Sequence, residues 1–307
     1  MRIPRVSRRL SAALLAAATV SALAACSSSA TSSPTGMGGM GVPATVSSPS
    51  MSASGMAGMD MNSSEPMYSG TGLSASDGGF TFAPVESTLP GGSDVLLHFK
   101  ITDSAGGVVT AFQPDQTKLM HLYLIHPDLS GFEHVHPTMS ADGTWTANFA
   151  GLTPGSYRVY VAFNAKNPSG ATVAEVLSKT VSVSGTRAPA SLPAVASTTV
   201  VDGFTLTVGG AMMAAMSHPL TVTISKDGRP VTDLQPYLET YAHLTAIHAG
   251  DLAFAHLHPE GAAAVTDTGG PTLTFQTVMP ERGDWRVFIQ FQTDGILHTA
   301  AITLHVN

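Results

Sequence analysis

Short runs in which apolar and polar residues alternate recur through residues 78–307, and they predict strands. In the first half they are DVLLHFKIT (94–102), KLMHLYLIH (118–126), GTWTANF (143–149), GSYRVYVAFN (155–164) and VLSKTVSV (176–183). In the second they are FTLTV (204–208), PLTVTIS (219–225), TYAHLTAIH (240–248), PTLTFQTV (271–278), DWRVFIQFQ (284–292) and LHTAAITLHV (297–306). Turn signals such as DG, GG and PG separate them. Short strands at regular spacing predict a β-sandwich in each half. The segment GTRAPASLPAVAS (185–197) reads as the connection between them. The expected fold class is all-β, with two tandem β-sandwich domains of immunoglobulin or cupredoxin-like type at 78–184 and 199–307 and a linker at 185–198.

The pattern upstream is different. Arg2, Arg5, Arg8 and Arg9 precede an Ala- and Leu-rich apolar stretch from Leu10 to Ala25. That stretch is short for a membrane span, which needs about 20 residues, and reads as an export signal. It ends in Leu23-Ala24-Ala25-Cys26. This resembles a bacterial lipobox, which implies a signal peptide over 1–25 and a diacylated Cys26. The mature protein is then extracytoplasmic and anchored to the cell membrane by its lipid. An uncleaved anchor and an ordinary signal peptide are the alternatives. Ser7-Arg8-Arg9 leaves the export route open between the general and the twin-arginine systems.

Residues 26–77 are dominated by Ser, Gly, Ala, Pro and Met, without periodicity. Such a segment cannot bury enough apolar surface to offset its ordering entropy, so a disordered tether is expected. It carries GMGGMG and GMAGMDM. A solvated linker has no packing use for methionine, whereas a thioether is a soft ligand suited to Cu(I). Met37, Met40, Met56, Met59 and Met61 are therefore candidate ligands.

Charge and cysteine content narrow the function. Charged residues make up 11% of the chain and the formal net charge is −7, against a usual charged fraction of about 25%. All basic residues before Lys100 lie in the first nine positions. No basic face for nucleic acid is available. A single cysteine excludes an internal disulfide, a Cys-rich zinc site and an iron–sulfur cluster. With that cysteine committed to lipid, a blue-copper thiolate site has no ligand. No G-x-S-x-G, P-loop or HExxH motif is present, so hydrolase and nucleotide chemistry have no support.

Histidine carries the strongest signal. Phe112–Pro137 aligns with Leu234–Pro259 without a gap at an offset of 122, and ten of the 26 positions are identical. They include His121/His243, His126/His248, His134/His256 and His136/His258. Strand parity places His134 and His136 on one face, with Val135 on the other toward the core. If Leu122 and Leu124 face the core, His121 points to the same outer side as His134 and His136. The first copy thus offers His121, His134 and His136, the second His243, His256 and His258, with His126 and His248, of opposite parity, as secondary candidates. Three imidazoles suit copper or zinc. The bland alternative is a set of surface histidines bonded to backbone. Met120 is a further soft candidate, as is GGAMMAAMSHP (209–219), with Met212, Met213, Met216 and His218.

The segments HLYLIHPDLSGFEHVHP (121–137) and HLTAIHAGDLAFAHLHP (243–259) resemble a motif of uncharacterised secreted and lipoprotein actinobacterial proteins, loosely linked to envelope heavy-metal handling. The resemblance covers both globular halves and suggests copper. Together these readings predict a non-catalytic, lipid-anchored protein that binds copper as Cu(I) or Cu(II), with zinc as the alternative metal. Its role is buffering, resistance or delivery to an envelope metal-transfer protein. The competing classes are an interaction module of the envelope without metal and a copper redox enzyme. For the latter, F-x-H-V-H resembles the copper strand of superoxide dismutases, but with an extra residue at Glu133.

Overall fold

The computed structural model describes Tyr68, residues 70–259, 261, 263–264 and 267–307, all within one compact unit, Met61–Asn307. The candidate positions Cys26, Met37, Met40, Met56, Met59 and Met61 lie outside the described residues, as do the side chains of His256 and His258.

The first repeat consists of β1 (Ser76–Asp77), β2 (Phe80–Pro84), β3 (Thr88–Leu89), β4 (Val95–Asp103), β5 (Phe112–Gln113), β6 (His121–Ile125), β7 (Glu133–Val135), β8 (Thr138–Met139), β9 (Trp145–Phe149), β10 (Gly155–Lys166) and β11 (Thr172–Val183). The second consists of β12 (Thr198–Val201), β13 (Phe204–Gly209), β14 (Ser217–Lys226), β15 (Arg229–Pro230), β16 (Ala242–His248), β17 (Phe254–Pro259), β18 (Thr272–Val278), β19 (Gly283–Thr293) and β20 (Ile296–Val306). No α-helix occurs among the described residues. The chain is all-β, with two repeated sandwich domains.

In the first repeat one sheet runs β1-β2-β4-β9-β8 and the other β3-β11-β10-β6-β7, with β5 added on β10. Alternation does the sorting. Val95, Leu97, Phe99 and Ile101 of β4 and Trp145, Ala147 and Phe149 of β9 point inward. They meet Leu122, Leu124, Val159, Val161 and Phe163 from the facing sheet. The histidine segment passes from one sheet to the other. Its β7 part pairs with β6 and its β8 part with β9, on either side of Pro137, a residue that has no N–H to give to a ladder. In the second repeat the crossing strand is continuous. There β17 pairs with β16 through Phe254–Leu257 and with β18 through His258 and Pro259, so both sheets join in the order β12-β13-β14-β18-β17-β16-β19-β20.

A third apolar cluster lies between the repeats. Tyr123, Ile125, Leu129, Tyr160, Ala162 and Val176 of the first repeat pack on Ile247, Phe254 and Phe288 of the second. Phe132 stacks on Phe288 at 3.9 Å between centroids and 5° between planes. This cluster explains why every residue of β6 is buried, rather than every second one. One face serves its own sandwich and the other serves the partner repeat. The segment leading into β1 binds both halves, since Thr71 O accepts from Phe254 N and Ser74 O from Ser178 N, each at 2.8 Å or less.

Candidate metal centre

The register of the histidine strands is the same in both repeats. Leu122 lies opposite Val135 and Tyr123 opposite His134; at the same offset, Leu244 lies opposite Leu257 and Thr245 opposite His256. A two-residue left-handed turn precedes each, at Gln116-Thr117 and Leu238-Glu239. Reciprocal backbone bonds close both turns, between Asp115 and Lys118 and between Tyr237 and Thr240. The turns aim β6 and β16 into the join between the repeats.

The expected parity holds. Leu122 and Leu124 belong to the first core, Val135 packs against it, and His121 and Tyr123 lie on the opposite face. The expected exposure does not. The outer faces of the two repeats cover each other, and His121 and His243 are each 1% exposed. Their rings lie parallel, 5.7 Å apart at 4°. His134 stacks on His243 at 4.8 Å. His136 stands edge-on to His121 and His134, at 4.9 and 4.7 Å. Among the described side chains, four imidazoles, three from the first repeat and one from the second, therefore share one enclosed place. Donor atoms of His121, His134 and His243 lie within 4.8 Å of one another.

The hydrogen bonds around the rings decide where their lone pairs point. His121 Nε2 donates to the Asp115 carbonyl at 3.1 Å, which leaves its Nδ1 as the lone-pair nitrogen. His134 Nδ1 donates to Gln290 Oε1 at 2.6 Å, which leaves Nε2 as its lone-pair nitrogen. On its other side the Gln290 amide meets Thr299, with Nε2 3.3 Å from Oγ1. The two lone-pair nitrogens, His121 Nδ1 and His134 Nε2, face each other at 3.1 Å. His243 follows the same rule. Its Nδ1 donates to Gln116 Oε1 at 2.8 Å, and its Nε2 accepts from Tyr123 Oη at 3.1 Å. Two of these supports cross between repeats, Gln290 to His134 and Gln116 to His243.

Lone pairs held this close repel unless a cation lies between them. Their separation fits a metal. An ion about 2.0–2.1 Å from each nitrogen would see the 3.1 Å pair at an angle of roughly 100°. Tying the far ring nitrogen to an oxygen is how proteins orient metal-ligating imidazoles. Protonation is the competing way to relieve the clash, and the surroundings oppose it. Burial, then the neighbouring His121 and His136, hold the His134 imidazolium well below its ordinary range. Burial, with His121 and Lys118 nearby, brings His136 down to about 3, and burial also lowers His121. His136 Nε2 is buried and meets no hydrogen-bond partner among the described residues.

The other candidates lie elsewhere. His126 bonds Ser156 O at 2.8 Å and Thr153 Oγ1 at 2.9 Å and stacks on Tyr157 at 3.8 Å. His248 bonds Asp251 Oδ1 at 2.7 Å and Arg282 O at 3.1 Å beside Trp285. The pair are equivalent pins at the ends of β6 and β16. Gly131, in the left-handed region at φ 63°, leaves His126 its space, since a Cβ there would sit 2.8 Å from the ring. Asp251 and Glu281 give His248 two carboxylate neighbours, but both of its ring nitrogens face oxygen acceptors, whereas His243 Nε2 faces a hydroxyl that can turn away from its lone pair. Met120 is buried in the first core and Met212 in the second. Met213 and Met216 are exposed, and His218 is half-buried on β14, away from the imidazole cluster. The backbones of His256 and His258 run in β17. Sequence reasoning did not single out Tyr123, Asp115, Gln116 or Gln290. Each differs from its counterpart in the other copy, so a search for identities passes over them.

The family described as a domain of unknown function (DUF8832) matches residues 75–180 and again 198–307. No curated protein matches the chain. Among solved structures the chain is similar to the bacterial integrin-binding protein invasin, at 14% identity over 74% of this chain and 39% of that one, with a TM-score of 0.21. It is also similar to MtrC from Shewanella baltica, at 10% identity over 73% and 68%, TM-score 0.23. A third is a putative membrane anchored protein from Corynebacterium diphtheriae, at 11% identity over 75% and 59%, TM-score 0.20. The chain spans less than half the length of invasin, and none of these likenesses bears on function.

Proposed function

The chain belongs to that family of unknown function, and we propose that it is a lipid-anchored, extracytoplasmic metal-binding protein. Its metal is copper, which it buffers in the envelope or passes to a transfer protein. One observation carries the reading. His121 Nδ1 and His134 Nε2 are locked as lone-pair nitrogens 3.1 Å apart by partners on their far sides. Imidazole nitrogen suits copper and zinc, and the methionine-rich tether adds soft sulfur of the kind that favours copper over zinc. The deep burial of His121 and His243 favours holding an ion over admitting an organic substrate, so the reading is a binder and not an enzyme.

The test is stoichiometry. Cu(I), Cu(II) and Zn(II) are titrated separately into the mature chain and into a His121→Ala/His134→Ala variant, and the bound metal is quantified after desalting. The variant should lose one equivalent of ion while keeping its strand content. Equal loading of the two proteins overturns the reading. Absence of binding to either supports a second one, favoured by the cross-repeat bonds of His134, His243 and Tyr123. In that case the imidazoles hold the repeats together for an interaction module.

A further inference from the structure

Beside the four imidazoles lies a carboxylate with unusual surroundings. Asp115 is 3% exposed. Its Oδ2 accepts from Tyr68 Oη, while its Oδ1 is buried and meets no donor among the described residues. No ion pair among the described residues includes it. Lys118 closes a backbone bridge with it, yet the ammonium makes no ion pair with the carboxylate. A buried carboxylate is costly without a compensating charge or a full set of donors. Asp115 is not remote from the centre, because its own carbonyl holds His121 in the ligating tautomer. The second copy has Tyr237 at the matching position, so the charge belongs to the first side of the join alone.

The imidazoles are neutral ligands. A cation among them would carry its full charge into an enclosed place, and the residue whose carbonyl holds His121 brings a buried carboxylate with it, Asp115. Soft sulfur is missing from the described part of the centre, since Met120 turns into the first core and Met139 packs against that core. Nitrogen and oxygen donors without thioether suit borderline divalent ions.

We infer that the ion of this centre is divalent, of the Cu(II) or Zn(II) class, with the Asp115 carboxylate as its countercharge. This rests on the metal-binding reading above and specifies the oxidation state the histidines select. It divides the chain chemically, with Cu(I) left to the thioethers of the tether and the divalent ion to the join of the repeats.

The test uses the full mature chain. Competition titrations give Kd for Cu(II), Zn(II) and Cu(I) in four proteins: wild type, Asp115→Asn, Tyr68→Phe and His121→Ala/His134→Ala. The ion lost in the double-histidine variant is the centre's own, which separates it from ions on the tether. Asp115→Asn should weaken Cu(II) and Zn(II) binding at the centre by at least about tenfold and shift Cu(I) binding by less than threefold. Tyr68→Phe keeps the charge and should keep divalent affinity within threefold; it also reports on folding if Asp115→Asn is unstable. An equal loss for all three ions in Asp115→Asn, or no loss, overturns the inference. A centre that takes Cu(I) but neither divalent ion also overturns it, with metal binding still standing. Loading of wild type equal to that of the double-histidine variant removes the metal-binding reading and this inference with it.

Discussion

A metal held between the repeats must stabilise their join, and His243, the second repeat's contribution among the described side chains, makes that measurable. Ligand binding to the native state alone adds RT ln(1 + [L]/Kd), about 4.1 kcal/mol at a free-metal level 1,000 times Kd. For a unit the size of Met61–Asn307, each kcal/mol moves the melting temperature by about 2–4 °C. Saturating Zn(II) should therefore raise the wild-type midpoint by roughly 8–16 °C. Replacing His243 with Ala removes one ligand and the group that accepts from Tyr123 and donates to Gln116. Taking a loss of about 100-fold in affinity, the same metal concentration is only about 10 times the new Kd. The stabilisation falls to about 1.4 kcal/mol and the shift to roughly 3–6 °C. Scanning calorimetry at pH 7.5, with and without chelator, reads both numbers. A full wild-type shift in His243→Ala would mean that the first repeat holds the ion alone. The shared centre would then be refuted, although metal binding itself would not be.

Gln290→Leu takes the acceptor from His134 Nδ1 and should weaken metal binding about 10–100-fold while leaving strand content unchanged; isothermal titration checks it, and undiminished affinity would deny Gln290 its positioning role. His126→Ala removes a structural pin and leaves the Ser156 carbonyl without this donor, costing about 1–3 kcal/mol in urea unfolding with metal stoichiometry unchanged; a lost equivalent would move His126 into the centre. Burial lowers His121, His126, His134 and His136 in the folded state, His136 to about 3. The unfolded chain therefore takes up more protons than the folded one below about pH 6.5. In metal-free protein, stability should be full above that pH and fall steadily from 6.5 toward 5, where carboxylates contribute little. A urea midpoint that is flat between pH 7 and 5 would contradict the buried, neutral imidazoles.

The strands were legible because each sandwich strand has one face in its own core. The runs 94–102, 155–164, 284–292 and 297–306 coincide with β4, β10, β19 and β20 to within a few residues. Alternation states which side chains share a face but not what covers that face. His121 and His134 were therefore placed correctly by parity and wrongly by environment, since the cover for their outer face is the other repeat. A hint was present in VYVAF and VFIQF, which read as nearly continuous apolar runs; strands buried on both faces have that pattern. The rest of the centre was hidden for a different reason. Comparing the copies rewards identity, but one site at the join of two copies needs them to differ. Tyr123 faces His243 where the second copy has Thr245, Asp115 stands where it has Tyr237, and Gln290 stands where the first copy has Ala162. Three of the four repeated histidine positions marked the place, and the unrepeated residues supply the hydrogen bonds and the carboxylate around it. A site at the join of two copies is thus read from two signals at once, identity for the histidines and divergence for the groups that hold them.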